Sequence, residues 1–301
     1  MDHKLKVFCK VAETKSFSKA SEIIHLTQPA VSLQIQALEE KYETKLFDRS
    51  SNTVTLTPAG EVLYKYAREI LSLYSSAEKV IGEITNLVKG SITIGACSTI
   101  GDYLLPHVIT GFRKTHPKIK LHLLVGNTNR VIELLNSGNI DIGLVAGEVT
   151  GQKILVKKIF SDELMLIVSK NHPWSKKKDV PISEITRESF ILREAGSGTR
   201  QVIEKFLLKH GIPTREMKIN LIFGSTEAIK DAVENELGVS IISRWAARKE
   251  SLNGLLRLIP FKDEKLERDF SLIINRNAVT SYVVDEFLGY LKSYPFEKLL
   301  L

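Results

Sequence analysis

Apolar positions in the first sixty residues recur with the spacing of short helices. Residues 5–12 form one amphipathic segment, and residues 20–24 carry the apolar positions of a second. Ser18 is predicted to be the N-cap of that second helix. Thr27 is predicted to cap a third helix, in which Pro29 is tolerated because a first-turn N–H has no partner to lose. The pattern therefore predicts three short helices in succession.

The third helix has two distinct faces. At about 100° per residue, one face is apolar and is expected to be buried: Val31, Ile35, Leu38 and Tyr42. The opposite face carries Pro29, Ser32, Leu33 and Gln36, with no lysine or glutamate before Glu39. Small and amide side chains on an outward face suit insertion into a DNA major groove. The alternative is a small helical domain with no nucleic-acid role.

A two-stranded wing is predicted after this helix. Apolar residues at 46–47 and 54–56 flank a turn at 50–53, and Arg49 lies at its base. In a helix-turn-helix followed by a wing, the second helix of the motif reads DNA. In this chain that helix is the third predicted helix. We expect base contacts from Gln28, Pro29, Ser32 and Gln36, and backbone contacts from Ser18, Lys19, Thr27 and Arg49.

A long helix is predicted from Thr57 and Pro58, a cap and a first-turn proline, to about residue 89. Its apolar residues repeat with alternating spacings of four and three: Leu63, Ala67, Ile70, Tyr74, Ala77, Ile81, Ile84 and Val88. A second line widens the stripe with Tyr66, Leu73, Val80 and Leu87. At ~45 Å this seam is too long for a small winged domain to cover, which favours pairing with a second copy. The alternative is packing on the chain's own C-terminal part.

Beyond residue 90 the pattern becomes an alternation of strands and helices, which predicts an α/β architecture. Strands are predicted over 91–97, 118–126, 141–147, 163–169 and 268–277, with further strand–helix units at 190–211 and 222–243. Gly238 is predicted to end one helix, and a last helix begins near Ser281. The order of elements suggests two lobes joined by a double crossover.

The strand-to-helix turns are the candidate ligand site, because ligands bind beyond the carboxyl ends of strands in such sheets. Backbone N–H groups with hydroxyls or amides suit small anions. The candidate residues are Ser98, Thr99, Asn127, Thr128, Gly147, Arg193, Glu194, Gly196, Ser197, Gly198, Thr199, Arg200, Ser225 and Thr226. Two alternatives stay open. The arginines of 193–200 could pair with carboxylates such as Glu194, and the hydroxyls could be plain helix caps.

Residues 8–60 resemble the winged helix-turn-helix of LysR-type transcriptional regulators. The matching positions are Phe17, Ala20, Gln28-Pro29-Ala30-Val31-Ser32, Ile35, Leu38-Glu39, Leu46-Phe47-Asp48-Arg49 and Leu56-Thr57-Pro58-Ala59-Gly60. Two departures are Ser21 for a usual alanine and Tyr42-Glu43 for a usual Leu-Gly. Glu43 in a left-handed cap would cost ~1 kcal/mol, unless that helix ends differently.

The resemblance implies a complete domain plan. Residues 1–58 would bind DNA, 59–89 would form a linker dimerisation helix, and 90–301 would be an effector domain with the two-lobed periplasmic-binding-protein fold. Lobe I would comprise 91–162 plus 267–301, and lobe II 163–266. The resemblance also implies a homodimer or homotetramer, promoter DNA and RNA polymerase as partners, and lobes that close on an effector.

The segment REAGSGTR (193–200) resembles a branch of this family linked to sulfur or carbon assimilation and to small anionic metabolites. A sulfur oxyanion such as sulfite or sulfate is the first candidate effector. No cofactor is expected, because no cluster of potential ligands has metal-binding spacing.

Charge and composition refine this interpretation. The net charge of the 301 residues is +7, of which residues 1–90 carry only +1, so DNA binding cannot be argued from overall charge. No apolar run reaches the ~20 residues of a membrane span, and the N-terminus lacks a signal-peptide core. We expect a cytoplasmic protein without membrane contact. Of two cysteines, Cys97 is either a redox-sensing thiol or a small buried residue.

Two other protein classes share parts of this pattern. An enzyme acting on a small phosphorylated metabolite finds little support, because no nucleophile elbow or P-loop is present. A solute-binding protein would fit residues 91–301 alone, but the preceding winged domain argues against it.

Overall fold

Three short helices form the N-terminal unit, as predicted. They are α1 (Asp2–Thr14), α2 (Phe17–Ile23) and α3 (Gln28–Lys41), packed around a core that includes Phe8, Val31 and Ile35. The computed structural model describes residues 2–48, 54–85, 90–151, 153–276 and 280–296. The statements below concern these residues.

The helix caps confirm one prediction and correct another. Thr27 caps α3, its hydroxyl accepting from the N–H of Ala30 at 3.4 Å. The cap of α2 is Ser16, which accepts from the N–H of Lys19 at 3.3 Å, so the prediction of Ser18 was wrong. The helix begins earlier because Phe17 is itself a helical core residue, packed edge-on against Phe47.

The end of α3 explains one departure from the family pattern. Val31, Ile35 and Leu38 are buried as predicted, but Tyr42 is 44% exposed because the helix ends at Lys41. Glu43 adopts the left-handed conformation with φ +49°. The N–H of Thr44 donates to the Glu39 carbonyl at 3.1 Å, which closes the helix as a Schellman motif.

Strands β1 (Phe47–Asp48) and β2 (Thr55–Leu56) pair antiparallel and form the wing. Its link to α3 is the buried carboxylate of Glu39, which accepts from the N–H groups of Leu46 at 2.9 Å and Phe47 at 3.4 Å and from Lys45 at 3.1 Å. Burial works to raise the pKa of Glu39, but these donors outweigh it and the net shift is downward. Arg49 and the wing turn lie outside the described residues.

The long helix α4 (Pro58–Thr85) begins as predicted, with Thr57 accepting from the N–H of Gly60 at 3.0 Å. Ala67 is completely buried in the core of the N-terminal unit, so it is not available for pairing. Leu63 packs partly on the same core. Exposed apolar residues follow: Ile70, Leu73, Tyr74, Ala77 and Ile81. The side chain of Ile84 and residues 86–89 lie outside the described part of the chain.

From residue 90 strands and helices alternate, and the predicted α/β class is confirmed. In chain order these elements are β3 (Gly90–Cys97), α5 (Ser98–Tyr103), α6 (Leu105–Thr115), β4 (Ile119–Gly126), α7 (Thr128–Asn136), β5 (Ile142–Ala146), β6 (Ile154–Ser169), β7 (Ser189–Arg193), α8 (Gly198–Lys209), β8 (Lys218–Phe223), α9 (Thr226–Glu234), β9 (Ser240–Ser243), α10 (Arg248–Leu252), β10 (Leu256–Ile259), β11 (Leu266–Asn275) and α11 (Tyr282–Ser293).

Two long strands connect the lobes. A seven-stranded sheet has the order β10-β6-β11-β5-β3-β4, and β9 also pairs with β6. Strands β7 and β8 form a separate pair. Strand β6 starts at residue 154, not at 163 as predicted. The predicted boundary between the lobes, at 162/163, therefore falls within this strand. The first half of β6 pairs with β11, and its last residues pair with β9 and β10.

Each lobe has its own core. Ile94, Phe112 and Phe287 belong to that of lobe I, and Phe190 and Ile203 to that of lobe II. Helix α9 ends at Glu234, and Glu236 takes the left-handed turn with φ +62°, so the predicted stop at Gly238 was wrong. No helix in the described ranges has an apolar stretch long enough to cross a membrane.

Candidate functional site

The outward face of α3 is exposed as predicted. Gln28, Pro29 and Gln36 are exposed and Ser32 is half-buried. The amide nitrogen of Gln36 donates to Glu40 Oε1 at 2.8 Å, so an acidic residue that the sequence analysis did not weigh lies beside the reading face. Ser18 and Lys19 are exposed on α2. This face presents hydrogen-bonding side chains on a rigid helix, which is what base readout requires.

Three of the four predicted strand-to-helix turns meet between the two lobes, and the turn at 224–226 lies outside the cavity lining. A small cavity there is lined by Cys97, Ser98, Thr99, Asn127, Thr128, Ala146, Arg193, Ser197, Gly198 and Thr199. Lobe I contributes the starts of α5 and α7, and lobe II contributes the start of α8. The N-terminal ends of three helices therefore point at one place, where their partial positive charges add.

Several of these side chains also cap their own helices. Asn127, Ser197 and Ser225 accept from N–H groups of α7, α8 and α9, respectively. These three side chains are therefore helix caps, and Asn127 and Ser197 line the cavity as well. Ser98 and Thr99 lie inside the first turn of α5, which leaves their hydroxyls for the cavity.

Arg193 spans the cleft from the end of β7. Its guanidinium donates to Ser98 Oγ of lobe I at 3.1 Å and to Thr226 Oγ1 of lobe II at 3.0 Å. Glu194 accepts from the same guanidinium at 2.7 Å and also from the Asn127 amide at 3.1 Å. The side chain of Arg193 is only 4% exposed, so the cation is almost fully desolvated.

A second buried arginine was missed by the sequence analysis. Arg268 Nε donates to Asp162 Oδ2 at 2.8 Å, and the two side chains are 1% and 0% exposed. Its other nitrogens donate to Thr199 Oγ1 at 2.6 Å and Thr99 Oγ1 at 3.2 Å, so Arg268 also joins the lobes. Burial raises the pKa of Asp162, opposed by the Arg268 guanidinium.

Arg268 and Asp162 face each other because they are register partners on β11 and β6. Arg268 lies between two other charged residues, Glu267 and Asp269, so no signal in the sequence singled it out. Its partner, more than a hundred residues earlier, could not be assigned before the register of the sheet was known.

The backbones of the two lobes touch at the cleft. The N–H of Asn129 in α7 donates to the Gly196 carbonyl at 3.2 Å. A Cβ on Gly198 would lie 1.8 Å from the Ala146 carbonyl oxygen, so only glycine fits there. Gly147 has φ +85° and faces Gly198. The cavity left between the lobes has a volume of about 10 Å³, roughly enough for one water molecule.

Arg200 does not line the cavity. Its guanidinium donates to Glu204 at 2.8 Å and to the Arg193 carbonyl at 3.2 Å, which supports the alternative of carboxylate pairing for this residue. Cys97 is 5% exposed, and burial raises the pKa of its thiol, as expected of a small buried residue. The cleft thus combines two guanidiniums, each with one carboxylate, with several hydroxyls and helix N-termini.

Two family models match the chain. A model of the bacterial regulatory helix-turn-helix protein of the lysR family matches residues 3–61, and one of the LysR substrate binding domain matches residues 85–295. HTH-type transcriptional regulator CysL of Bacillus subtilis is 32% identical over 296 residues, covering 98% of each chain. The Probable RuBisCO transcriptional regulator of Porphyra purpurea is 35% identical over 286 residues, covering 94% of this chain and 90% of its own.

Solved structures share the fold. A full-length OxyR variant from Pseudomonas aeruginosa superposes with a TM-score of 0.66 at 22% identity, covering 98% of this chain and 96% of its own. The regulatory domain of Synechocystis CcmR, in complex with 2-PG, gives 0.63 at 24% identity, covering 68% of this chain and 97% of that domain.

Proposed function

This chain belongs to the LysR family of DNA-binding transcriptional regulators with small-molecule effector domains, and we propose that a small anion bound between its lobes controls how it binds DNA. The convergence of helix N-termini, hydroxyls and two buried guanidiniums on one cleft carries this proposal. The residues that would hold the anion are Ser98, Thr99, Arg193, Thr199 and Arg268. None of these groups is a general base beside a nucleophile, so binding rather than catalysis is the activity that the cleft supports.

A sulfur oxyanion such as sulfite or sulfate is the first effector class to test. Such an ion offers several acceptor oxygens around one centre, matching donors that approach from both lobes. The CcmR regulatory domain was solved in complex with 2-PG, which makes 2-PG the natural comparison.

The size of the cleft determines how an anion would bind. Room for about one water molecule does not accommodate a tetrahedral oxyanion. The lobes must therefore part, or Arg193 must move, before the anion can be seated. The expected closure of the lobes on the effector then follows an opening step. The anion acts on DNA binding to the extent that it prefers one lobe arrangement over another.

On the DNA side we propose that α3 of each of two chains reads one half-site, with pairing through the exposed stripe of α4. Gln28, Pro29, Ser32 and Gln36 would contact base edges, and Lys19 and Arg49 would contact phosphates. We also propose that the protein is a homodimer or homotetramer. Because it would act at a promoter, it would contact RNA polymerase and be located in the cytoplasm.

The DNA contact is tested by selecting a binding site from a random duplex pool. Gln28→Ala should lose about 1–3 kcal/mol of discrimination between the selected and a scrambled duplex, because an amide that reads a base edge is removed. Gln201→Ala, an exposed glutamine on α8, is the matched control and should change nothing. Equal discrimination by Gln28→Ala and the wild type would refute the assigned role. Footprints that stay identical with and without a bound anion would refute the regulatory link.

A further inference from the structure

Tyr103 is a lobe I residue that reaches into lobe II. It is the last residue of α5, and its ring packs against the lobe II apolar cluster that includes Ile229, Val233 and Ala246. Its hydroxyl donates to Glu227 Oε1 at 2.6 Å, at the start of α9. Burial, with the neighbouring Glu227 carboxylate, raises the pKa of Tyr103, so the hydroxyl stays protonated and able to donate.

Three charged residues of lobe II form the site that receives this side chain, here called the socket: Glu227, Lys230 and Glu250. The ammonium group of Lys230, only 4% exposed, pairs with Glu227 at 3.0 Å and Glu250 at 2.6 Å. The same ammonium lies 5.0 Å from the centre of the Tyr103 ring, within cation–π range. All three charged residues belong to lobe II, and their ion pairs hold them in place without Tyr103. Tyr103 is the residue that lobe I contributes to this contact.

Tyr103 and Glu227 lie on helices whose first residues are bonded to Arg193 in the cleft. Helix α5 begins at Ser98 and ends at Tyr103, and α9 begins at Thr226, next to Glu227. Arg193 bonds the hydroxyls of both Ser98 and Thr226. Parting the lobes at the cleft therefore also withdraws Tyr103 from its socket.

We propose that Tyr103, with the socket of Glu227, Lys230 and Glu250, forms an interlobe latch that holds the two lobes together and opposes anion binding in the cleft. The latch opposes binding by the route in which the lobes part, because the cavity of about 10 Å³ between them is too small for the anion. The effect of the latch on anion binding rests on the proposed function, whereas the contact that holds the two lobes together does not. Tyr103 and Glu227 are thus positioning residues that set the affinity of the neighbouring site.

The Asn129 amide reports on lobe opening without any ligand. As the second residue of α7 it has no carbonyl partner in its own helix, and it donates to the Gly196 carbonyl of lobe II at 3.2 Å. Tyr103→Phe keeps the ring and removes the hydrogen bond. In the full-length chain, hydrogen–deuterium exchange of the Asn129 amide, followed by NMR, is expected to accelerate about three- to tenfold.

Three controls separate the latch from a general loss of stability. The Val131 amide, which donates to the Asn127 carbonyl within lobe I, should exchange at the wild-type rate. Glu227→Gln retains an oxygen that accepts from Tyr103 and should stay closer to wild type. Tyr294→Phe, which removes a hydroxyl within lobe I, should have no effect. Unchanged exchange at Asn129 in Tyr103→Phe, or equal acceleration at Asn129 and Val131, would overturn the latch.

Sodium sulfate is the probe for the consequence at the cleft. Tyr103→Phe is expected to bind sulfate several-fold more tightly than the wild type, because less free energy opposes parting the lobes. Equal or weaker binding would overturn the opposing role. If neither chain binds sulfate, the proposed effector class fails, and exchange at Asn129 still decides whether the latch exists.

Discussion

Glu43 holds a backbone conformation that glycine would adopt without strain. Its φ of +49° closes α3, and an L-residue in this region costs roughly 1–2 kcal/mol, partly offset by the entropy that a glycine loses on folding. Glu43→Gly is therefore expected to stabilise the N-terminal unit by about 0.5–1 kcal/mol, measured by urea unfolding. Glu43→Ala retains the strain and is the control. A glycine variant no more stable than the alanine variant would contradict the assignment of strain.

Glu39 gives the stability of the same unit a dependence on pH. Its pKa is below the ordinary 4.5 in the folded chain, so its contribution is present above that pH and is lost as the pH falls through the lowered pKa. Glu39→Gln should lower the melting temperature at about pH 7, and the difference from wild type should shrink as the pH falls below 4.5. Glu40→Gln, at an exposed position, is the control. A difference that stays constant with pH would show that packing, not the ionised carboxylate, holds the wing.

Individual residues show where sequence reasoning stops. The helix-capping role of Thr27 is local, and the sequence predicted it correctly. The prediction of Ser18 as the cap of α2 was wrong because the sequence pattern does not show whether Phe17 precedes the helix or belongs to it. Arg268 and Asp162 are adjacent only through the pairing of β11 with β6, which no local pattern encodes.

The long helix α4 illustrates the same limit for whole elements. Its start and its apolar repeat were predictable, because caps and heptads depend on neighbouring residues. Ala67 was assigned to the pairing seam but is buried in its own domain, since a periodic stripe does not show which part packs within the chain. Beyond it, Ile70, Tyr74 and Ile81 are 39%, 50% and 60% exposed, an apolar stripe that pairing would cover.

If two chains pair through this stripe, a charge placed in it should lower the mass of the assembly in solution. Ile81→Glu introduces a charge that a paired seam would bury, so it should shift the chain towards monomer in sedimentation experiments. Leu252→Glu, at an exposed leucine of α10 that is 73% exposed, should leave the mass unchanged. An unaltered mass for Ile81→Glu would place the dimer contact elsewhere.

At the scale of the whole molecule, topology brings distant turns together. The rule that ligands bind beyond the carboxyl ends of strands was enough to select residues 98–99, 127–128 and 197–199, and the structure places all of them on one cavity. The rule could not predict how tightly the lobes meet, because that depends on the contacts of Arg193, Arg268 and Tyr103 across the cleft.

The central claim is that a small anion binds between the lobes, and thermal melting tests it most directly. The wild type and a Ser98→Ala/Thr199→Ala variant would be melted with sulfite, sulfate, thiosulfate, phosphate, nitrate and small carboxylates. A ligand at 100 times its dissociation constant adds about 2.7 kcal/mol to the folded state, which moves the melt by several degrees. The account predicts such a shift for one class of anion, reduced or lost in the variant. No shift for any anion, or an equal shift in both chains, would contradict it.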